Sequence, residues 1–305
     1  VSVGRLSKIR GDVSDVYGEP FREGDRVTFL DVHASCGACW HCLVAKATTR
    51  CPERRVYGIT YGAVDVLAGG WAEAVYLRPG TRVLRLDGAA GEPGERFMAG
   101  GCALPTALHT AERAEIGIGD AALVLGCGPV GLVSVALARL RGAATVLCVG
   151  APEPRLEAAR AAGAHDVLDF RGLSLEERAA WVLDRTGGRG ADVIVEATGA
   201  PSAVVDAMRM ARDAGRVVVT GQYTDHGDAT FNPHADLNRK HLDVRGCWGS
   251  DYSHFHRAAQ LAGDASLGAF LDRIETRRYA LDTIEEALAD VAAGRVVKAV
   301  VSPVR

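Results

Sequence analysis

Leu123-Val124-Leu125-Gly126-Cys127-Gly128-Pro129-Val130-Gly131 joins an apolar run to a helix-forming one through three spaced glycines. The three residues before Gly126 have the character of a buried strand, and those after Gly131 are rich in Ala, Val and Leu. In such a strand–turn–helix, Gly126 permits the tight turn, Gly128 lets the backbone approach a pyrophosphate, and Gly131 lets the helix pack on the strand. The helix that starts at Pro129 and Val130 then turns its N-terminal amides and dipole toward the phosphates. A second apolar run, Thr145-Val146-Leu147-Cys148-Val149, completes the strand–helix–strand unit and separates this motif from a chance G-x-G-x-x-G.

Outward from this turn, strand and helix patterns alternate. Strands are expected at 122–125, 145–149, 166–169, 192–196, 216–220 and 242–245. Helices are expected at 129–140, 154–162, 174–184 and 203–212, each ending near a glycine that can take a left-handed cap. Six parallel strands make a doubly wound α/β sheet. The crevice outside their carboxyl ends brings Thr198, Gly199 and Gly221 to a ligand through backbone contacts.

The residue that closes the second strand bears on which dinucleotide binds. A carboxylate there accepts hydrogen bonds from the adenosine ribose hydroxyls and repels a 2′-phosphate. Here that residue is Gly150, followed by Ala151-Pro152-Glu153-Pro154-Arg155. The acid is missing and Arg155 is available to meet a phosphate, so the reading favours NADP. Glu153 is the residue that would serve NAD instead.

A second motif lies earlier. Cys36-Gly37-Ala38-Cys39-Trp40-His41-Cys42, then eight residues and Cys51, put four thiols on one loop. Zn²⁺ takes four soft ligands tetrahedrally, and two-residue gaps let successive thiolates turn onto one ion. With every position filled by protein, such a site is closed and structural. A zinc ribbon for nucleic acid would need a second knuckle pair and a basic surface, and neither is present. With four thiols available, His33 and His41 read as surface residues.

Composition sets the frame. The chain has 305 residues, 48% apolar and 24% charged, with 36 glycines, which suits two globular domains rich in tight turns. A net charge of −3 without a basic block excludes an electrostatic footprint for nucleic acid. No apolar stretch reaches the roughly 20 residues that cross a bilayer. Val1-Ser2-Val3-Gly4-Arg5-Leu6 is not a secretory signal, and four clustered cysteines out of eight fit a reducing cytoplasm. The first hundred residues read as mostly β, with strands in Arg26-Val27-Thr28-Phe29-Leu30 and Trp71-Ala72-Glu73-Ala74-Val75-Tyr76-Leu77. After Gly246 a helix at 282–293 and a strand at 296–301 return to that first domain. The polar segment 232–241 and Trp248, Tyr252, His254, Phe255 and His256 are placed to reach a pocket or an oligomer interface, but read as mostly surface.

Together with Gly24-Asp25-Arg26-Val27, Gly69-Gly70-Trp71-Ala72-Glu73, Asp192-Val193-Ile194-Val195-Glu196-Ala197-Thr198-Gly199 and Gly215-Arg216-Val217-Val218-Val219, these motifs occur in a recognisable order. Over essentially its whole length the chain resembles the zinc-dependent medium-chain dehydrogenases/reductases, the alcohol, sorbitol and threonine dehydrogenases. One departure is the last cysteine gap, eight residues where seven is usual, which a bulged loop would absorb. The resemblance implies a mostly β, GroES-like catalytic domain at 1–104 and 250–305 and a six-stranded Rossmann domain at 105–249. It also implies Zn²⁺ and NADP or NAD as cofactors, a small-molecule alcohol or carbonyl as substrate, a homodimer or homotetramer, and no nucleic-acid or membrane partner.

By the same resemblance, Gly101-Cys102-Ala103-Leu104-Pro105-Thr106-Ala107 carries Cys102 as a ligand of the catalytic zinc and Thr106 as the residue that packs on the nicotinamide. Without the resemblance, Cys102 would read as a buried small residue. Lys298 matches a cation near the cofactor phosphates. The family's other zinc ligands, a Cys and a His beside a Glu, precede the match to Val3-Gly4-Arg5, so the chain is expected to begin after them. The implied chemistry is zinc-assisted hydride transfer between a secondary alcohol or polyol and nicotinamide. Two alternatives stand beside it: a zinc-free quinone-reductase-like enzyme, and a non-catalytic nucleotide-binding protein with only a structural zinc.

Overall fold

The computed structural model describes residues 1–61, 69–86, 93–274 and 276–303. The chain begins with β1 (Val3–Arg5), β2 (Arg26–Phe29), β3 (Val32–Ala34), α1 (Trp40–Leu43), β4 (Arg55–Val56), β5 (Val83–Arg85) and α2 (Pro93–Gly100). The middle holds α3 (Ala103–Ala114), β6 (Ala121–Leu125), α4 (Pro129–Leu140), β7 (Thr145–Gly150), α5 (Glu153–Ala161), β8 (Asp166–Asp169), α6 (Leu175–Arg185), β9 (Ala191–Glu196), α7 (Pro201–Met210), β10 (Ala211–Val219) and β11 (Asp243–Gly246). The last part holds α8 (Tyr252–Ala262), α9 (Ala265–Leu271), β12 (Thr276–Ala280), α10 (Ile284–Ala292) and β13 (Lys298–Ser302). Two units result, one of Val1–Cys102 with Ser250–Arg305 and one of Ala103–Gly249.

In the first unit, β1, β2 and β5 form an antiparallel sheet, β3 pairs with β4, and β12 runs parallel to β13. Helices are more prominent here than the sequence suggested. Helix α2 packs on α8 through Phe97 and Phe255, both buried, edge to face with ring centroids 5.3 Å apart. Phe255 and His254 are therefore core residues, not surface ones. The expected strand through Trp71 and Tyr76 does not form. Its stretch has a strand's composition but no ladder partner among the described residues, and Trp71 and Tyr76 face solvent.

The second unit is the doubly wound sheet, six parallel strands in the order β11-β10-β9-β6-β7-β8. Both faces are covered by helices, so the central strands are apolar throughout: Leu123, Leu125, Leu147, Val149, Ile194 and Val217 share one core with Val182, Ala207 and Met210. Helix α6 starts at a capping box in which Ser174 Oγ accepts from the Glu177 amide (3.2 Å) and Glu177 from the Ser174 amide (2.7 Å). Left-handed glycines follow α4, α5 and α6 at Gly142, Gly163 and Gly187. After α7 the left-handed residue is Ala214, not Gly215, because α7 stops at Met210 and the chain has already entered β10. Segment 232–241 is likewise not all surface: Asp236 is buried in a π-helical turn and paired with Arg209.

The switch in strand order falls between β6 and β9, whose register sets Leu125 beside Glu196. Doubly wound sheets bind ligands at that point, outside the carboxyl ends.

Candidate functional site

At the switch point the chain leaves β6 through Gly126, whose φ of +103° is left-handed territory. A Cβ on Gly126 would stand 2.9 Å from the Ala197 carbonyl, and one on Gly131 would run into the Gly126 carbonyl. Around Gly128 there is open space. Pro129 fills the first helical position, and Val130 follows it. The first turn of α4 has no acidic residue and no side-chain cap, so its amides and the positive dipole end stay available to an anion. Opposite, the turn after β9 is fixed by Glu196. Its Oε1 accepts from the Thr198 amide (2.7 Å), the Thr198 hydroxyl (2.6 Å) and the Gly199 amide (3.1 Å). A Cβ on Gly221 would stand 2.7 Å from the Thr198 amide and 2.8 Å from Glu196 Oε1, so glycine lets the two turns close together.

At the end of β7, Gly150 lies against the glycine turn, and no carboxylate occupies that position. Glu153 is exposed and engaged with Arg160 at 2.7 Å, which turns it to its own helix. Arg155 is half-buried, and its Nε finds no hydrogen-bond partner among the described residues. A buried guanidinium nitrogen without an acceptor is costly, and a bound anion would satisfy it.

In the first unit, the sulfurs of Cys36, Cys39, Cys42 and Cys51 all lie within 4.8 Å of one another. Cys39 Sγ is 3.6 Å from Cys42 Sγ and 3.9 Å from Cys51 Sγ. The Ala38 and Cys39 amides point at Cys36 Sγ (3.4 and 3.3 Å) and bring that thiol down to about 7, whereas burial pushes Cys42 up to about 12. Four converging soft donors with amides aimed at a sulfur fit Zn²⁺. His41 stays out of the cluster. His33 is not a surface residue: it is half-buried, with its ring nitrogens on the Tyr61 hydroxyl and on the Pro79 carbonyl (3.0 Å).

Cys102 is exposed rather than packed in a core, at the last position of the first unit. The preceding Gly101 is left-handed, and a Cβ there would run into Lys298 Nζ, so Lys298 lies against the bend that presents Cys102. Lys298 therefore neighbours the candidate metal ligand, a placement the sequence did not suggest. Thr106 lies half-buried on the first turns of α3, in the second unit.

Comparison with known proteins decides the family. The profile of the family described as zinc-binding dehydrogenase matches residues 129–264. The 5-exo-hydroxycamphor dehydrogenase of Pseudomonas putida is 32% identical over 301 residues, 98% of this chain and 81% of that protein. The crystal structure of an alcohol dehydrogenase from Thermotoga maritima superposes with a TM-score of 0.89 at 30% identity, covering 98% of this chain and 81% of that one. A protein described as a zinc-binding dehydrogenase from Sinorhizobium meliloti, bound to NADP, gives a TM-score of 0.82 at 27% identity over 99% of this chain and 82% of that one. The chain belongs to the zinc-binding, medium-chain dehydrogenases.

As a member it is an NAD(P)-dependent oxidoreductase of the alcohol dehydrogenase type, with zinc and a nicotinamide dinucleotide as cofactors and a small alcohol or carbonyl as substrate. Neither the zinc-free reductase nor the non-catalytic reading is favoured by these relatives. For this dehydrogenase, sequence reasoning missed Glu196 as the organiser of the second turn. The signal was there: a carboxylate between Val195 and Ala197, with a Thr-Gly turn two residues on, has no reason to sit in a buried strand unless it serves the turn.

Proposed function

We propose that this dehydrogenase interconverts a secondary alcohol or polyol and its carbonyl with NADP, and that the second unit seats the cofactor while the first holds the metal sites. The end of β7 carries the reading of the cofactor: no carboxylate at Gly150, Glu153 tied to Arg160, and an unpartnered buried nitrogen on Arg155. When bound, zinc supplies Lewis acidity toward the substrate oxygen, and the nicotinamide accepts or gives the hydride.

The chain's own residues bind and orient. Gly126, Gly128 and Gly131 let the backbone approach the pyrophosphate, and the α4 amides after Pro129 and Val130 receive its charge. Thr198, Gly199 and Gly221 line the crevice through their backbone. Cys102 is a ligand of the catalytic zinc, Thr106 seats the nicotinamide ring, and Lys298 is a cation that offsets negative charge near Cys102 and the cofactor. Cys36, Cys39, Cys42 and Cys51 hold a structural zinc and take no part in the chemistry. The active form is a homodimer or homotetramer in a reducing cytoplasm that keeps the eight cysteines out of disulfides, without nucleic-acid or membrane partners. No helix among the described residues is long and apolar enough to cross a membrane.

The test compares wild type with Cys102→Ala by metal analysis, NADPH and NADH fluorescence titration, and oxidation of secondary alcohols and polyols. The variant should lose the zinc held at Cys102 and alcohol oxidation, keep the zinc of the four-cysteine cluster, and keep its cofactor affinity within about twofold, since the dinucleotide seat lies elsewhere. Unchanged zinc content and activity in Cys102→Ala would remove the assignment, and tighter NADH than NADPH binding would remove the cofactor reading.

A further inference from the structure

Cys127, the second residue of the glycine turn, is only 2% exposed, and its thiol donates to the Ala151 carbonyl at 3.3 Å. The sulfur is thus held between the turn and the peptide that follows β7. A Cβ built on Gly150 would run into Cys127 Sγ and stand 2.9 Å from Cys127 Cβ and 3.2 Å from its amide nitrogen. A short side chain bonded into a packed interior has little room to withdraw. Burial pushes the Cys127 thiol up, with Arg155 pulling weakly the other way, so the group is neutral and does not repel a phosphate.

We propose that Cys127 is a specificity-determining residue for the cofactor. Its sulfur occupies the space that the first atoms of an acidic side chain at position 150 require, and so keeps a carboxylate off the end of β7, where Arg155 meets the 2′-phosphate; Asp169, beside Gly150 on β8, is ion-paired with Arg171. Gly150 and Cys127 act as one pair: the glycine is required by the cysteine, and NADP follows from both. This proposal rests on the NADP reading above.

The experiment uses Gly150→Ala, Gly150→Asp, Cys127→Gly and the two double variants, with melting temperature and NADPH and NADH dissociation constants read by fluorescence. With Cys127 present, Gly150→Ala and Gly150→Asp should lower Tm by roughly 3–10 °C, and the aspartate should gain little NADH affinity. Cys127→Gly should relieve that loss, and Cys127→Gly/Gly150→Asp should swing preference toward NADH by about 100-fold, the worth of one or two charge-assisted hydrogen bonds. The alanine variant reports the collision even where the aspartate fails to fold. Additive Tm effects in chains that prefer NADPH would overturn the role of Cys127 alone, as would a stable Gly150→Asp that switches cofactor without help. A wild-type chain that binds NADH more tightly would overturn the NADP reading and, with it, the role assigned to the pair.

Discussion

Thr110 Oγ1 and Thr220 Oγ1 lie 2.9 Å apart with both residues buried, tying α3 to the carboxyl end of β10. Thr110 has one hydroxyl proton, and the Thr106 carbonyl accepts it at 2.9 Å. Thr220 must therefore be the donor between the two threonines, and the chain of hydroxyls runs from the strand end to the helical turn that bears Thr106. Cys247 Sγ, 3.7 Å from Thr110, closes the group.

Thr110→Val keeps the shape but strands the Thr220 proton in a buried site, which costs about 1–3 kcal/mol. Thr110→Val/Thr220→Val removes donor and acceptor together and should recover much of that loss. Urea unfolding of the four proteins measures the coupling; strictly additive losses would mean that the hydroxyls do not share a proton chain.

Glu196 makes a second test. Glu196→Ala leaves the Thr198 and Gly199 amides without their acceptor and empties a fully buried position, so stability should fall by about 2–5 kcal/mol. Because the turn it fixes faces the glycine turn, NADPH affinity should fall about tenfold through lost preorganisation. Calorimetric titration at a temperature where the variant is folded separates the two effects.

These residues show where the sequence spoke and where it was silent. Leu123 to Gly131 announced sheet, turn and helix at once, because a strand buried on both faces and a glycine that must take a left-handed φ both constrain residue type locally. Cys36 to Cys51 did the same through the spacing of one element type. Thr110 and Thr220 depend instead on which elements meet, and pairing across a hundred residues leaves no periodicity to read. Glu196, by contrast, serves a turn two and three residues on and is legible as a carboxylate in an apolar strand. Trp71 to Leu77 failed for the complementary reason: strand composition is satisfied only by a neighbour, and none is present among the described residues. Phe255 was misjudged because its burial belongs to Phe97, a partner on another helix.

Removing zinc from the thiol cluster should unfold the lobe locally. Chelation is expected to expose Cys36, Cys39, Cys42 and Cys51 to a thiol reagent and to lower Tm, while the Rossmann unit keeps its NADPH affinity. Cys42, pushed up to about 12 by burial, gives up its proton only to a metal, so zinc uptake near neutral pH must release protons and weaken as pH falls. Calorimetry in buffers of different ionisation enthalpy counts those protons, and a zero count would contradict thiolate ligation by this cluster.

Asp251 caps α8 by accepting from the Ser253 amide (2.9 Å) and Ser253 hydroxyl (2.7 Å), and it pairs with His254 Nδ1 at 2.8 Å. Burial works against its charge, but these partners outweigh burial and hold the carboxyl well below the usual range. A depressed carboxylate contributes stability that is complete above its unfolded value of 3.8 and is lost as pH drops toward the folded value. Asparagine caps a helix about as well as aspartate, so Asp251→Asn loses only what the charge adds to the Ser253 and His254 contacts, about 1 kcal/mol at pH 7, and the gap should narrow by pH 3. Denaturant melts at the two pH values decide it; a gap that widens in acid has the wrong sign.

Arg155 carries the last prediction. Its guanidinium sits at the start of α5 beside the end of β7, with Nε unpartnered, and Glu153 is held away by Arg160. A 2′-phosphate would give Arg155 charge-assisted bonds, each worth about 1.5–3 kcal/mol, whereas a ribose hydroxyl offers a neutral partner worth about half as much. Arg155→Ala should thus raise the dissociation constant for NADPH about 10- to 100-fold and change that for NADH less than about threefold. Raising salt from low to physiological strength should weaken wild-type NADPH binding more than that of the variant, because only the wild type keeps this ionic contact. Equal losses for the two cofactors would mean that Arg155 serves the fold of α5 and not the phosphate.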